Sequence, residues 1–143
     1  MSQRRFVALA LLVSLALLAL ATSALARKNA TPAQARAVAQ AVRSSPVAGI
    51  DKVPGKRYVV TKVRISTVSK AWAMASLQPT RAFRNSFQAA LVVAVQPAGT
   101  RRWVVVDLGS AQVGCGIAPN AVLADLLGLK SGESPCPPGE GIS

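Results

Sequence analysis

The chain has 143 residues, 17 Lys and Arg against 5 Asp and Glu, a formal net charge of +12, two cysteines and no histidine. Without histidine, a Ser-His-Asp triad, a Cys-His pair and a histidine-based zinc centre are excluded. A balance this basic attracts anionic partners, in a salt-dependent way.

The start of the chain reads as an export signal. Arg4 and Arg5 are followed by an apolar run over residues 6–21, broken only by Ser14. Ala24-Leu25-Ala26 then places small residues at the −3 and −1 positions of a cleavage site. The expected leader is therefore 1–26, cleaved after Ala26, and 27–143 is a single exported domain. The run also approaches the roughly 20 residues that span a bilayer. A retained anchor is the competing reading, and the small residues at its end favour cleavage. For an exported protein the first anionic partners are wall polymers and lipid headgroups, and nucleic acid is not expected.

Thr31-Pro32-Ala33-Gln34 is a capping-box signature with proline at the first helical position. The helix that follows shows Ala35, Val38, Ala39 and Val42 on one face and Arg36, Gln40 and Arg43 on the other. Ser44-Ser45-Pro46 stops it. Residues 47–57 read as a loop with a turn at Pro54-Gly55. Residues 58–67 form a first strand, with Val59, Thr61, Val63 and Ile65 alternating against Val60, Lys62 and Arg64. A second strand covers 71–77, and a loop over 78–86 carries Arg81, Phe83 and Arg84. Residues 87–96 are apolar on both faces, as in a central strand. After a hairpin turn at 97–100, the fourth strand covers 101–108, with Val104, Val106 and Leu108 alternating against Trp103, Val105 and Asp107.

Pro119 and Asn120 open a short helix with Leu123, Leu126 and Leu127 at helical spacing, and Gly128 ends it. The tail, 131–143, is too rich in Gly, Pro and Ser for regular structure. The expected fold is α+β: an N-terminal helix packed on a four-stranded antiparallel meander, a short C-terminal helix, and one disulfide. Export places the two cysteines in an oxidising compartment, where an even pair bridges. Cys115–Cys136 would close a loop around the short helix.

Five carboxylates follow the leader: Asp51, Asp107, Asp125, Glu133 and Glu140. Asp107 is the one expected to be partly buried, accepting hydrogen bonds from a neighbouring turn or arginine. Asp125 is placed on the polar side of the short helix. No pair of carboxylates has a defined catalytic spacing. Lys130-Ser131-Gly132 matches the K-[ST]-G element of penicillin-binding enzymes, but Thr67-Val68-Ser69-Lys70 has threonine where their S-x-x-K needs serine. No catalytic residue, cofactor or metal is expected. The candidate anion-binding residues are Lys62 and Arg64, on one side of the first strand, and Lys70, Arg81, Arg84, Arg101 and Arg102 at strand ends and loops. In a meander the loop after the second strand and the turn before the fourth lie at opposite ends, so these residues need not form one patch. Trp72 and Trp103 serve either as stacking surface or, the favoured reading, as packing.

One helix followed by an antiparallel sheet resembles the cystatin fold. Gln112-Val113-Gly114-Cys115-Gly116 begins and ends like its Q-x-V-x-G hairpin, with glycine where valine is required. That resemblance implies an inhibitor or accessory domain docking on a protein partner through loops. The segments "VRISTVSKAWAMASL" and "WVVVDLGSAQVGCG" resemble small exported actinobacterial proteins of no assigned activity, which implies no catalytic residues. The leading expectation is a non-catalytic binding module of the cell envelope for anionic wall polymer or lipid.

Overall fold

The computed structural model describes residues 29–44 and 55–142. The leader, its cleavage site and Asp51 lie outside the described residues. The elements are α1 (Pro32–Ser44), β1 (Tyr58–Ile65), β2 (Trp72–Pro79), a 3-10 turn (Arg81–Phe83), β3 (Ala90–Val95), β4 (Val104–Gly109) and α2 (Asn120–Leu127). All strand pairs are antiparallel and the sheet order is β1-β2-β3-β4, the expected meander.

The capping box of α1 is made as its sequence specifies. Thr31 N–H donates to Gln34 Oε1 at 2.9 Å, and Gln34 N–H donates to Thr31 Oγ1 at 3.3 Å. The helix buries Val38, Ala41 and Val42. These pack on Ala73, Ala75, Leu77, Val92, Ala94 and Val105 of the sheet, with Trp103 beside them. The opposite face is covered by α2. There Val122, Leu123 and Leu126 meet Met74 and Val93, with Val113, Ala118 and Cys136 from the connecting loops. The result is three layers, a helix on each face of the sheet. Both sides of β2 and β3 are therefore dry, and burying those side chains supplies most of the driving force.

Two bulges alter the expected alternation. In β1, Thr61 pairs with Ser76 and Arg64 with Met74, so Lys62 and Val63 together oppose Ala75. Lys62 adopts φ 49°, the left-handed region. The extra residue shifts the period: Tyr58, Val60, Val63 and Ile65 turn toward α1, whereas Thr61 and Arg64 share the other face with Met74. The expectation that Lys62 and Arg64 lie on one side is corrected by this bulge. In β4 the pairs Ala94–Val105 and Val93–Asp107 leave Val106 as the extra residue. Trp103, Val105 and Leu108 face α1, while Val106 packs with the α2 cluster. Phe87 falls outside β3, because its N–H bonds the Phe83 carbonyl at 3.0 Å and its ring leaves the sheet.

The C-terminal segment is tied at several points. Cys115 and Cys136 form a disulfide, with Cα atoms 5.7 Å apart. Asn120 N–H donates to the Ile142 carbonyl at 2.9 Å, and Pro119 and Ile142 form a parallel bridge. Gly128, at φ 70°, ends α2, with Leu129 N–H donating back to the Ala124 carbonyl at 2.9 Å. Among the described residues no helix is long and apolar enough to cross a membrane.

Candidate anion-binding site

The sheet end where β1 begins and β2 finishes carries a cluster of cations on an aromatic base. Tyr58 pairs with Pro79. Just beyond, Thr80 N–H donates to the Arg57 carbonyl at 2.8 Å and its hydroxyl donates to the Lys56 carbonyl at 3.2 Å. The loop then turns as a 3-10 segment, in which residues three apart eclipse. Arg81 opens this segment and Arg84 follows it, both exposed, while Phe83 is half-buried. Phe83 and Phe87 lie with ring centroids 5.9 Å apart, and Phe87 lies 5.6 Å from Tyr58. The Arg57 guanidinium sits over both phenylalanine rings, 5.7 Å and 5.3 Å from their centroids. This cation–π contact restrains the guanidinium, which stays exposed to an oxyanion. Lys56, Arg57, Arg81 and Arg84 are all exposed, and none has an ion-pair partner among the described residues.

The opposite sheet end carries Lys70, Arg101 and Arg102. The β1–β2 and β3–β4 turns are joined there through Gln96. Its N–H donates to the Ala71 carbonyl at 2.8 Å, and its Nε2 donates to the Arg101 carbonyl at 3.1 Å. Arg101, Arg102 and Trp103 form, with Gln40 and Ser44 of α1, a groove of about 210 Å³. The Ser44 hydroxyl is donated to the Gln40 and Ala41 carbonyls. The donors left for a ligand are the two guanidinium groups and the Gln40 amide. Trp103 is 8% exposed and belongs to the core, and Trp72 packs with the α2 cluster, so both tryptophans serve packing.

The sequence-derived candidates thus divide. Arg81 and Arg84 lie at one end, Lys70, Arg101 and Arg102 at the other, and Lys62 sits exposed on the bulge between them. Arg64 is turned to α2, where its Nη1 donates to the Leu126 carbonyl at 3.0 Å. A cation there complements the negative helix end. Lys56, Arg57 and the aromatic base were not legible as a group, because they meet only through the paired start of β1 and the β2–β3 loop. A signal was present in the spacing of Phe83 and Phe87 on either side of Arg84, with Arg81 just before them.

A second groove, about 740 Å³, lies between α2 and the β1–β2 turn and is lined by Thr67, Val68, Ala124, Asp125 and Leu129 among others. Asp125 is half-buried here, not solvent-facing as its helical position suggests. Its Oδ2 accepts from the Ser66 hydroxyl at 2.8 Å and from Thr67 N–H at 2.6 Å, and its Oδ1 accepts from the Thr67 hydroxyl at 2.8 Å. Burial pushes its pKa up, but the hydrogen bonds from Thr67 and Ser66 outweigh this and hold it below the ordinary carboxylate value. Lys130-Ser131-Gly132 shares this groove with Thr67, yet the Thr67 hydroxyl is already donated to Asp125. Asp107 is likewise committed, accepting from Gly114 N–H at 2.6 Å and from Leu108 N–H at 2.8 Å. Among the described residues no group of His, Cys, Asp or Glu is arranged to hold a metal ion.

Charge is therefore segregated. Asp107 pairs with Val93 on the α2 face, Asp125 sits on α2, and Glu133 and Glu140 follow it in the tail. The end with Arg57, Arg81 and Arg84 and helix α1 carry cations among their described charged residues, while at the other end the Asp125 carboxylate is taken up by Ser66 and Thr67 of the β1–β2 turn. The segment Gln112–Gly116 does not project as a hairpin, since Val113 and Gly114 are buried. Comparison with protein-family models, with curated proteins and with solved structures finds no match.

Proposed function

We propose that the protein is an exported, non-enzymatic binding protein of the cell envelope that holds a linear anionic polymer through its basic sheet ends. The observation that carries this is the group of exposed cations Arg57, Arg81 and Arg84, without an ion-pair partner among the described residues, in which Arg57 sits over Phe83 and Phe87. A solubilising charge needs no such support. A stacked, rigid guanidinium loses less entropy when it grips an oxyanion. The disulfide, with no free cysteine left, supports export to an oxidising compartment. A lipid surface is favoured less, because membrane-surface proteins bury apolar wedges. Here the half-buried Phe83 and Phe87 rings are engaged by Arg57 and each other, and Phe87 also packs on Tyr58.

The test is retention of the protein on anionic wall polymer and on vesicles containing anionic lipid across a salt series. Retention on polymer should be strong at low salt and fall steeply as the screening length shortens from about 10 Å at 0.1 M to about 3 Å at 1 M. Replacing Arg81 and Arg84 with Gln should weaken it about tenfold, roughly 1.4 kcal/mol. No retention at low salt, or retention indifferent to salt, overturns the reading. Stronger retention on vesicles than on polymer replaces the polymer by a lipid surface.

A further inference from the structure

The two basic clusters sit at opposite ends of the sheet, and β2, Trp72–Pro79, measures the distance between them. At about 3.3 Å per residue they are roughly 25 Å apart. That is about three screening lengths at physiological salt, where one length is near 8 Å. The ends therefore act as separate electrostatic sites at that salt. Between them, among the described residues, the exposed cation along the β1 edge is Lys62, and α1 adds the exposed Arg36 and Arg43. Each end also has its own support. One is the aromatic base beneath Arg57. The other is the Gln96 tie and the groove against α1.

From this separation we propose that the protein is bivalent: each end grips a phosphate-type oxyanion group of a different polyanion strand, so one molecule cross-links two polymer chains. The inference rests on the polyanion reading above and adds the number and placement of the sites. The ligand chemistry is a polymer of repeated oxyanions. Guanidinium groups, Arg57, Arg81 and Arg84 at one end and Arg101 and Arg102 at the other, match the tetrahedral oxyanion of a phosphate ester or anhydride bidentately. Linking two such sites through one rigid domain gives avidity on a dense polymer.

Inorganic polyphosphate supplies a defined probe. Long chains are fixed to beads, the protein is bound, and a second, fluorescent long chain is added. Wild-type protein should capture the fluorescent chain. Tripolyphosphate, too short to span about 25 Å, should bind at two per protein by calorimetry. The double variants Arg81→Gln/Arg84→Gln and Arg101→Gln/Arg102→Gln should each stay on the beads but lose capture at least tenfold and bind one tripolyphosphate. The matching Arg→Lys pairs keep the charge and should retain capture, which controls for damage to the fold. Bead binding without capture by the wild type, or one tripolyphosphate per protein, overturns bivalency and leaves the polyanion reading standing. No bead binding at low salt overturns both. Capture that survives in either Gln variant also overturns the assignment, because the two ends would not be the bridging sites.

Discussion

Replacing Gly114 with Ala should be among the most damaging single-methyl changes available in this chain. Gly114 has φ +90°, and a Cβ built there would stand 2.6 Å from Leu123 Cδ2 and 3.1 Å from Val93 Cγ2. Two costs add. The left-handed backbone costs an L-residue about 1–2 kcal/mol, and overpacking a dry core costs about 1–3 kcal/mol. Leu123 is fully buried and Val93 is fixed in β3, so neither can swing away. The sum, about 2–5 kcal/mol, is a large part of the stability of a small domain. It corresponds to a fall in Tm on the order of 10–20 °C. Gly99 and Gly116 supply the controls. They have φ +74° and +73°, but the first has nothing within 4 Å and the second meets only the Glu140 carbonyl at 3.6 Å. Ala at either should cost only the backbone part, about 1–2 kcal/mol. Thermal melts of the three variants, followed by circular dichroism with the disulfide intact, separate strain from packing. If Gly114→Ala melts within a few degrees of Gly99→Ala, α2 does not pack on β3 through this position and the second layer is wrongly placed.

Asp125, whose pKa is held below its ordinary value, contributes stability that is present above about pH 4 and lost as pH falls through its folded value; Asp125→Asn should flatten the acid limb of the stability–pH curve and lower stability at neutral pH by about 1–2 kcal/mol, discounted for its partial exposure. Mass spectrometry after alkylation should find no free thiol, and replacing both cysteines with Ser should cost about 3 kcal/mol in urea unfolding, since the bridge closes a loop of sequence separation 21. Thr31→Ala removes one half of the capping box and should cost about 1 kcal/mol.

What the sequence shows of this fold is what depends on near neighbours. The capping box is legible because its partners are three residues apart. The meander is legible from its turns, and the disulfide from there being only two cysteines. Residues 87–96, apolar on both faces, already require a cover on each side of the sheet, which α1 and α2 provide. The misreadings have physical causes. The bulge at Lys62 carries no glycine to announce it, and one extra residue exchanges the faces of everything between it and the strand start. Asp125 looks solvated on its own helix because its donors, Ser66 and Thr67, come from a turn far away in the chain. A carboxylate in the last turn of a helix opposes the helix dipole, and that was the available hint of an outside partner. The Arg57 cluster depends on stacking across a paired strand start, which no periodicity encodes.

The way the charges are used separates a binding site from a merely soluble surface. Asp107, Asp125 and Glu133 accept hydrogen bonds from backbone N–H groups of nearby turns, so these carboxylates serve the fold. Of the cations, Arg64 holds the end of α2 and Arg57 is stacked, while the others at the sheet ends are exposed. If net charge alone mattered, their positions would be interchangeable. A variant with Arg81→Gln and Arg84→Gln, compensated by Ala121→Lys and Ser131→Lys on the exposed surface of the α2 side, keeps the formal charge and tests this. Two exposed ion contacts at about 0.2–1 kcal/mol each predict a loss of roughly 2- to 30-fold in polyanion affinity, with solubility unchanged. Affinity equal to wild type across the salt series would mean that total charge, not the Arg57, Arg81 and Arg84 cluster, holds the polymer. Affinity that drops while the melting temperature stays fixed would mean that the placement of Arg81 and Arg84 is what the polymer recognises.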